Sequence, residues 1–481
     1  MIGITSAGAY LPRMRLERSA IAAANAWFDP ALKGLGRGQR TMCNWDEDAI
    51  TMAVTAAQDC RADGGPASFD ALYFASTSAP FTDRQNAGVV AEALNLGTSV
   101  RTMDIGGSRR AATSATLAAL DLVRANPGTT ALVAASEHRR TLVGSALEMI
   151  YGDGAAAIGI GGEDVIAEFI TAHTHAEDFV DQYRGEGMSH DYEWEERWVR
   201  SEGYMKLVPS AVKGLLEKAN FTAGDIKHFV MPSGRRRVPE SVAKAAGIEP
   251  EALVDNLVDG CGETGAAHPM LLLVAALERA EPGDLILMTS FGQGCEALLF
   301  RATEAIKRES AAQRLSGSLA RGVSEENYAK FQTFNALVER EFGKRAETDK
   351  QTYLSAFNRK RDLLTGFVGG KCTACGTIQI PRAEYCVAPE CGARNTQEPY
   401  ALVGAKGEVK TYTADRLTFD LNPPAYFGLV EFEGGGRIMV DFTDVDAETF
   451  DVGTRVGMQF RIKQIDDQRG FKKYFWKAAP I

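Results

Sequence analysis

Over the first three hundred residues, apolar strand candidates alternate with alanine-rich helical segments, and this alternation restricts the fold more than any other feature. The strand candidates ALYFAS, TALVAAS, AAAIGIGG, HFVMP and DLILMTSF are separated by helical stretches such as 49–60, 110–124 and 239–247. Alternation this dense implies a layered α/β fold, a sheet covered by helices. Glycine clusters close several strands, at 106–107, 152–154 and 292–294. Glycine there lets the backbone turn tightly or approach a ligand.

The texture then changes. Residues 301–365 are rich in Lys, Arg, Glu, Gln and Ala and poor in Gly and Pro. They read as one or more amphipathic helices, a solvated helical linker between domains. After the cysteine-bearing stretch GGKCTACGTIQIPRAEYCVAPECGARN come short alternating strands, EVKTYTA, YFGLVEFEG, RIMVDFTD, RVGMQFRIKQI and KKYFWKA. Short strands with Gly/Asp turns suggest a small β-barrel. With 481 residues, two or three domains are expected. The boundaries read as an α/β domain over 1–300, the linker over 301–365, a metal ribbon over 366–400 and a barrel over 401–481.

Cys372 and Cys375 are two residues apart, and Cys386 and Cys391 four. Each pair can form a tight turn that presents two thiolates. Two such turns close a tetrahedron around Zn²⁺ and hold together a segment too small for its own core. All four ligand positions are filled, so the expected role is structural. In a reducing compartment such a cluster reads as a metal site before it reads as disulfides.

Composition narrows the partners. The chain is 45% hydrophobic and carries a net charge of −10, which argues against a general nucleic-acid binder. No apolar run is long enough to span a bilayer. The first residues, MIGITSAGAYLPRMRL, lack a basic start followed by an apolar core, so a cytoplasmic location without a membrane is expected.

The stretch GGSRRAATSAT, residues 106–116, follows an apolar strand and opens a helix. Two arginines at a helix start clash with its dipole unless an anion is present. Arg109 or Arg110 therefore pairs with a structural carboxylate or binds a ligand carboxylate, enolate or thioester oxygen. Ser108 as a nucleophile would need an adjacent base, and no motif fixes one. Arg235, Arg236 and Arg237 form a second basic run, either a solvated loop or an anion grip. Glu263 and His268 stand five apart at another helix start, in DGCGETGAAHPM. A partly buried Glu263 would have a pKa raised toward neutrality, suited to acid–base work. His268 before Pro269 reads equally as a packed histidine.

Several longer stretches resemble the thiolase superfamily, in its hydroxymethylglutaryl-CoA synthase and ketoacyl synthase III branch. They are GQRTMCNWDEDAITMAVTAAQDC, TTALVAASE with YGDGAAAIGIG, and CGETGAAHPMLLLVAALERAEPGDLILMTSFGQG. The four cysteines, the Pro381-Arg382 step and GEVKTYTADRLTFDLNPPAYFGLVEF are similar to the DUF35-type zinc-ribbon and OB-fold module that accompanies such enzymes. The resemblance implies a five-layer αβαβα sandwich of two similar halves, a homodimer, and a site where two helix N-termini meet and acyl-CoA enters. Those families use a cysteine nucleophile at a helix N-terminus, with a histidine, an asparagine and, in the synthases, a glutamate. Here the cysteine slot falls at Arg109 or Ser108, the histidine slot at Val230, the asparagine slot at Glu263 and the glutamate slot at Thr77. No cysteine lies within ten residues of the turn.

The expectation is an acyl-CoA carbon–carbon bond enzyme that cleaves a β-oxoacyl- or β-hydroxyacyl-CoA without an acyl-cysteine. Glu263 is the expected base, and Arg109 or Arg110 with the backbone at 107–109 the oxyanion stabiliser. Arg110 and Arg235 to Arg237 are expected to grip coenzyme A, as basic residues do in the related synthases. Two alternatives stand beside it: a condensing synthase whose nucleophile is displaced to Cys261 or Cys295, and a non-catalytic CoA-binding scaffold for a partner enzyme.

Overall fold

The computed structural model describes residues 1–481. The chain divides into two compact units: one holds Met1–Asn44, Asp48–Gly88 and Thr98–Val338, the other Trp45–Glu47, Val89–Gly97 and Glu339–Ile481. No helix is long and apolar enough to cross a membrane.

In the first unit nine strands pair in the order Ile226–Val230, Leu285–Phe291, Gly294–Ala302, Ala167–Ala176, Gly3–Tyr10, Gly154–Gly161, Ala131–Glu137, Ala71–Ala75, Arg101–Ile105. The middle of this row is slender. Gly3–Tyr10 meets Ala167–Ala176 only at Gly3↔Glu168 and Ile4↔Ala167. Two half-sheets therefore hinge at one corner. Continuous apolar runs such as ALYFA, ALVAASE and LILMTSF suit strands covered on both faces.

The helices Ala111–Ala125 and His268–Leu277 lie between the half-sheets. Ala112, Ala115 and Ala119 share one core with Met270, Leu273 and Val274, and with Tyr73, Val133, Met288 and Phe300 of the two half-sheets. Alanine at the first three positions allows close approach and favours helix. The other face of Leu285–Phe291 points outward. Leu285 and Leu287 pack with Leu215, Val212 and Val242 of the helices Met205–Ala219 and Val238–Ala246. On the opposite side, Ala49–Ala62 covers the half-sheet of Gly3–Tyr10. It is opened by a capping box of Asp48 with Thr51. The result is the expected αβαβα sandwich.

Residues 301–365 depart from the expected amphipathic linker. They form short pieces, among them Arg314–Ala320, Tyr328–Phe334 and Leu354–Arg359. Val323–Glu325 pairs in parallel with Met14–Glu17, and Tyr328 and Phe331 are buried with Leu16, Ile21 and Met42. A few large apolar anchors, rather than a helical stripe, hold this stretch on the first unit as far as Val338.

In the second unit Val368–Cys372 pairs with Ile378–Gln379 and Gln397–Ala401 as a small ribbon. Five antiparallel strands follow, ordered Arg437–Asp441, Ala425–Phe432, Lys406–Asp415, Arg455–Asp466, Phe471–Pro480. Val409, Val430, Phe460 and Trp476 are buried in that sheet. The Trp476 indole donates to the Thr365 carbonyl at 2.7 Å.

Candidate active site and metal ribbon

The turn 106–110 joins the sheet-edge strand Arg101–Ile105 to the central helix Ala111–Ala125. Gly107 supplies a positive φ of 79°, a conformation that side chains with a Cβ rarely adopt. Gly292 presses on the same turn. A Cβ there would meet Ser108 Oγ at 3.0 Å and the Arg109 nitrogen at 3.1 Å. A cavity of ≈ 610 Å³ opens here. Its lining includes Thr77, Ser108, Arg109, Asp181, Gln182 and Arg184, and no cysteine.

Arg109 is the cavity residue with the densest polar surroundings. Its Nη2 donates to Tyr151 Oη at 3.1 Å and to Gln182 Oε1. Its Nε is buried with no hydrogen-bond partner. Burial opposes the charge, but Tyr151, Glu263 and Asp181 outweigh it and hold the guanidinium protonated. A buried donor left without a partner is costly.

A network fixes Arg109 from the side. Arg139, which follows the strand Ala131–Glu137, is fully buried and lies 3.4 Å from the Tyr151 ring centroid. It bonds Glu263 Oε2 at 2.9 Å, Asp191 Oδ2 at 2.7 Å and Gln182 Oε1 at 2.8 Å. Asp181, Gln182 and Asp191 come from a hairpin in which Tyr192 pairs with Tyr183 and Glu193 with Gln182. Asp191 also pairs with Arg184 at 2.8 Å. The Asp181 carboxylate lines the cavity, is nearly buried, and no side-chain hydrogen bond engages it.

Several expectations are corrected. Glu263 is buried and does not line the cavity. Its main chain is stitched to 150–152 by Glu263 N to Ile150 O and Gly152 N to Glu263 O. Burial pushes its carboxyl up, but the Arg109 and Arg139 guanidiniums outweigh burial, so its pKa lies below the usual range. It is an ion-pair anchor, not a base of raised pKa. His268 is fully buried: its Nε2 meets the Asn256 carbonyl at 3.1 Å and its Nδ1 the Thr264 hydroxyl at 3.1 Å. Burial pushes its pKa down, so it is the packed, neutral histidine. The Ser108 hydroxyl donates to the Gly292 carbonyl at 2.8 Å, and no base faces it. Arg110 pairs with Glu296 at 3.0 Å and with the Gly292 carbonyl, the structural-carboxylate pairing that was one of its two expected roles. Arg235 is bound to Glu193. Arg236 and Arg237 remain exposed.

Glu137 was not singled out in the sequence. Its carboxyl accepts the Thr77 N–H at 2.7 Å, the Thr77 hydroxyl at 2.9 Å and the Ser78 hydroxyl. Burial pushes its pKa up. It pins the cavity wall at Thr77.

Two thiols of the first unit were candidates for a displaced nucleophile. Burial pushes Cys261 and Cys295 up to about 12, and neither lines the cavity.

The Glu263 pair gives a stability prediction. Removing one partner of a buried pair strands the other charge, so Glu263→Gln should cost about 3–5 kcal/mol. A depressed carboxyl stabilises the fold above its unfolded pKa, and that stabilisation is lost as pH falls through the folded value. Urea melts should therefore show a smaller acid loss, on the low-pH side of the usual Glu range, in the variant than in the parent.

In the second unit the four ribbon thiols converge. Cys372 and Cys391 sulfurs are 3.9 Å apart and Cys375 and Cys386 sulfurs 3.5 Å, all four within 4.8 Å of one another. That is the spacing a tetrahedral ion held by four thiolates requires, so the residues fit structural zinc.

Comparison with known proteins agrees with both halves. Residues 216–301 match the model of the 3-oxoacyl-[acyl-carrier-protein] synthase III C-terminal domain. Residues 366–397 match the ChsH2 rubredoxin-like zinc ribbon domain, and residues 400–461 the ChsH2 C-terminal OB-fold domain. The hydroxymethylglutaryl-CoA synthase of Methanopyrus kandleri is 31% identical over 314 residues, covering 64% of this chain and 89% of the relative. That of Aeropyrum pernix is 33% identical, covering 63% and 86%. Among solved structures, an HMG-CoA synthase complexed with CoA aligns with a TM-score of 0.60 at 17% identity, over 73% of this chain and 94% of that one. A 3-oxoacyl-(acyl carrier protein) synthase III from Pseudomonas aeruginosa aligns with a TM-score of 0.56 at 20% identity, over 63% and 98%. These two likenesses show the fold. The chain belongs to the hydroxymethylglutaryl-CoA synthase family of thiolase-like condensing enzymes, extended by a zinc ribbon and an OB-fold domain.

Proposed function

We propose that the protein cleaves the Cα–Cβ bond of a β-hydroxyacyl- or β-oxoacyl-CoA through a thioester enolate, without an acyl-cysteine. The observation that carries this reading is Arg109: a guanidinium kept charged lines the cavity, at the turn where the resemblance places the family's thiol, and its Nε has no hydrogen-bond partner. Asp181 serves as the base in place of Glu263. Among the cavity's carboxylates, Asp104 accepts the N–H groups of Asn86 and Ala87, and Asp191 is held by Arg139 and Arg184.

With a β-hydroxyacyl-CoA, Asp181 takes the hydroxyl proton and the O–H electron pair becomes the new carbonyl bond. The Cα–Cβ pair becomes the Cα=C bond of the enolate as the thioester carbonyl π pair moves onto its oxygen, opposite Arg109. Protonated Asp181 then returns the proton to Cα, leaving a shorter acyl-CoA and an aldehyde or ketone. With a β-oxoacyl-CoA, Asp181 takes its proton from a water that adds to the β-carbonyl, and a free acid leaves instead. Glu263 and Arg139 are positioning residues for Arg109. Arg236 and Arg237 are exposed beside the start of Val238–Ala246 and suit the phosphates of coenzyme A.

The family relationship favours a second reading, condensation. The same base and the same enolate-binding arginine serve bond formation when the reaction runs in reverse.

The test is mass spectrometry of products from aliphatic, steroid-type and aromatic β-hydroxyacyl- and β-oxoacyl-CoAs. A shorter acyl-CoA with an aldehyde or ketone supports retro-aldol cleavage. An acid carrying ¹⁸O from labelled water supports hydrolytic cleavage. No cleavage of any substrate, with the condensed product formed from acyl-CoA and ketone, would select the second reading. Silence in both directions would leave a CoA-binding scaffold.

The proposed assembly is a homodimer. Arg101–Ile105 is the outer strand of the sheet and exposes Met103 at 39%. An exposed edge with an apolar residue favours pairing with a second copy. Light scattering should give twice the chain mass, and Met103→Lys should lower it; a monomeric parent would refute the assignment.

A further inference from the structure

We infer that the first unit holds a second, buried metal site made of Cys43, His138 and Asp153. These residues come from three strand ends: Cys43 follows Gln39–Met42, His138 follows Ala131–Glu137, and Asp153 precedes Gly154–Gly161. Cys43 and Asp153 are buried and His138 is partly so. One ligand atom from each lies within 4.8 Å of the others. A tetrahedral zinc ion wants its ligand atoms roughly 3.3–3.7 Å apart, which small side-chain rotations reach from here.

The donors are already oriented. Asp153 Oδ2 accepts the Cys43 N–H at 2.9 Å, while Oδ1 is buried without a hydrogen-bond partner. Such an oxygen is costly to bury, and a cation would offset the cost. Thr41 pins the aspartate backbone: its hydroxyl accepts the Asp153 N–H at 2.7 Å and bonds the Asp153 carbonyl at 2.6 Å.

The imidazole has an outer-shell partner. Asn335 Nδ2 donates to the Phe331 carbonyl at 2.9 Å, which identifies its other end as the oxygen. His138 Nε2 meets that oxygen at 2.8 Å and is therefore the N–H. A hydrogen bond of this kind fixes the tautomer and ring orientation, as outer-shell partners of metal-bound histidines do.

One thiolate, one imidazole and one carboxylate form a borderline-soft set suited to Zn²⁺. None of the three residues lines the cavity, so this site is separate from the acyl-CoA site. It joins strand ends that carry Arg139 and the 150–152 segment.

The test is zinc content of the full chain, loaded with Zn²⁺, desalted and measured by elemental mass spectrometry. The parent should hold two ions per chain, one of them in the ribbon. His138→Gln and Asp153→Asn should each hold one, and Cys375→Ser should also hold one. Co²⁺ loading of the Cys375→Ser chain should give the weak charge-transfer band of a single thiolate. Circular dichroism of His138→Gln separates ion loss from unfolding if Asp153→Asn fails to fold. One ion in the parent that disappears in Cys375→Ser, or two ions retained by folded His138→Gln, would overturn the proposal.

Discussion

Arg109→Gln is expected to lower kcat by about 10²–10³, or about 2.7–4 kcal/mol, the range for removing one preorganised oxyanion donor. The loss should fall on kcat rather than KM. The thioester oxygen becomes strongly negative only as the carbon–carbon bond breaks, so the interaction belongs to the transition state. Arg109→Lys should recover little. Lysine would keep a charge, but its stem lacks the planar fork that binds Tyr151 and Gln182. Steady-state kinetics on whichever CoA ester the product survey identifies makes the measurement. An unchanged kcat in folded Arg109→Gln would remove the arginine from the chemistry.

Asp181→Asn is the second large effect, an expected loss of about 10²–10⁴ in kcat, typical of a general base. The change is nearly isosteric, and what disappears is the capacity to take a proton. Because Asp181 also helps hold Arg109 charged, the double variant with Arg109→Gln should lose less than the product of the two single losses. Inhibition by free coenzyme A should stay constant in Asp181→Asn if the residue acts at the reacting carbons alone. A weakened grip on coenzyme A with kcat intact would make Asp181 a binding residue instead.

The sandwich was legible because each layer writes its period locally. Runs such as ALVAASE and LILMTSF can only be doubly covered strands, and AATSATLAAL reads as a helix that tolerates close neighbours. The ribbon was legible from cysteine spacing alone. The turn at 106–110 was legible as a place, and the missing thiol as a chemical fact about it.

The site's electrostatics were not legible. Arg139 meets Asp191, Gln182 and Glu263 across separations of 52, 43 and 124 residues, and no local pattern announces such a meeting. Glu263 was expected to titrate near neutrality because burial alone raises a carboxyl. Two guanidiniums beside it reverse the sign. Arg110, one residue from Arg109, turns instead to Glu296 on Gly294–Ala302, a pairing across 186 residues that no local pattern announces. The stretch 301–338 misled for another reason. Its buried anchors, Leu315, Tyr328 and Phe331, are too sparse to show as a stripe.

Carbon–carbon bond chemistry without an acyl-cysteine is tested by intact-protein mass spectrometry of enzyme quenched during turnover. The chain mass should stay unmodified throughout turnover, and activity should be full after iodoacetamide treatment, since Cys261 and Cys295 are buried with thiols pushed up to about 12. A mass increase equal to the acyl group, appearing and decaying with turnover and mapping to a cysteine peptide of residues 1–300, would contradict it.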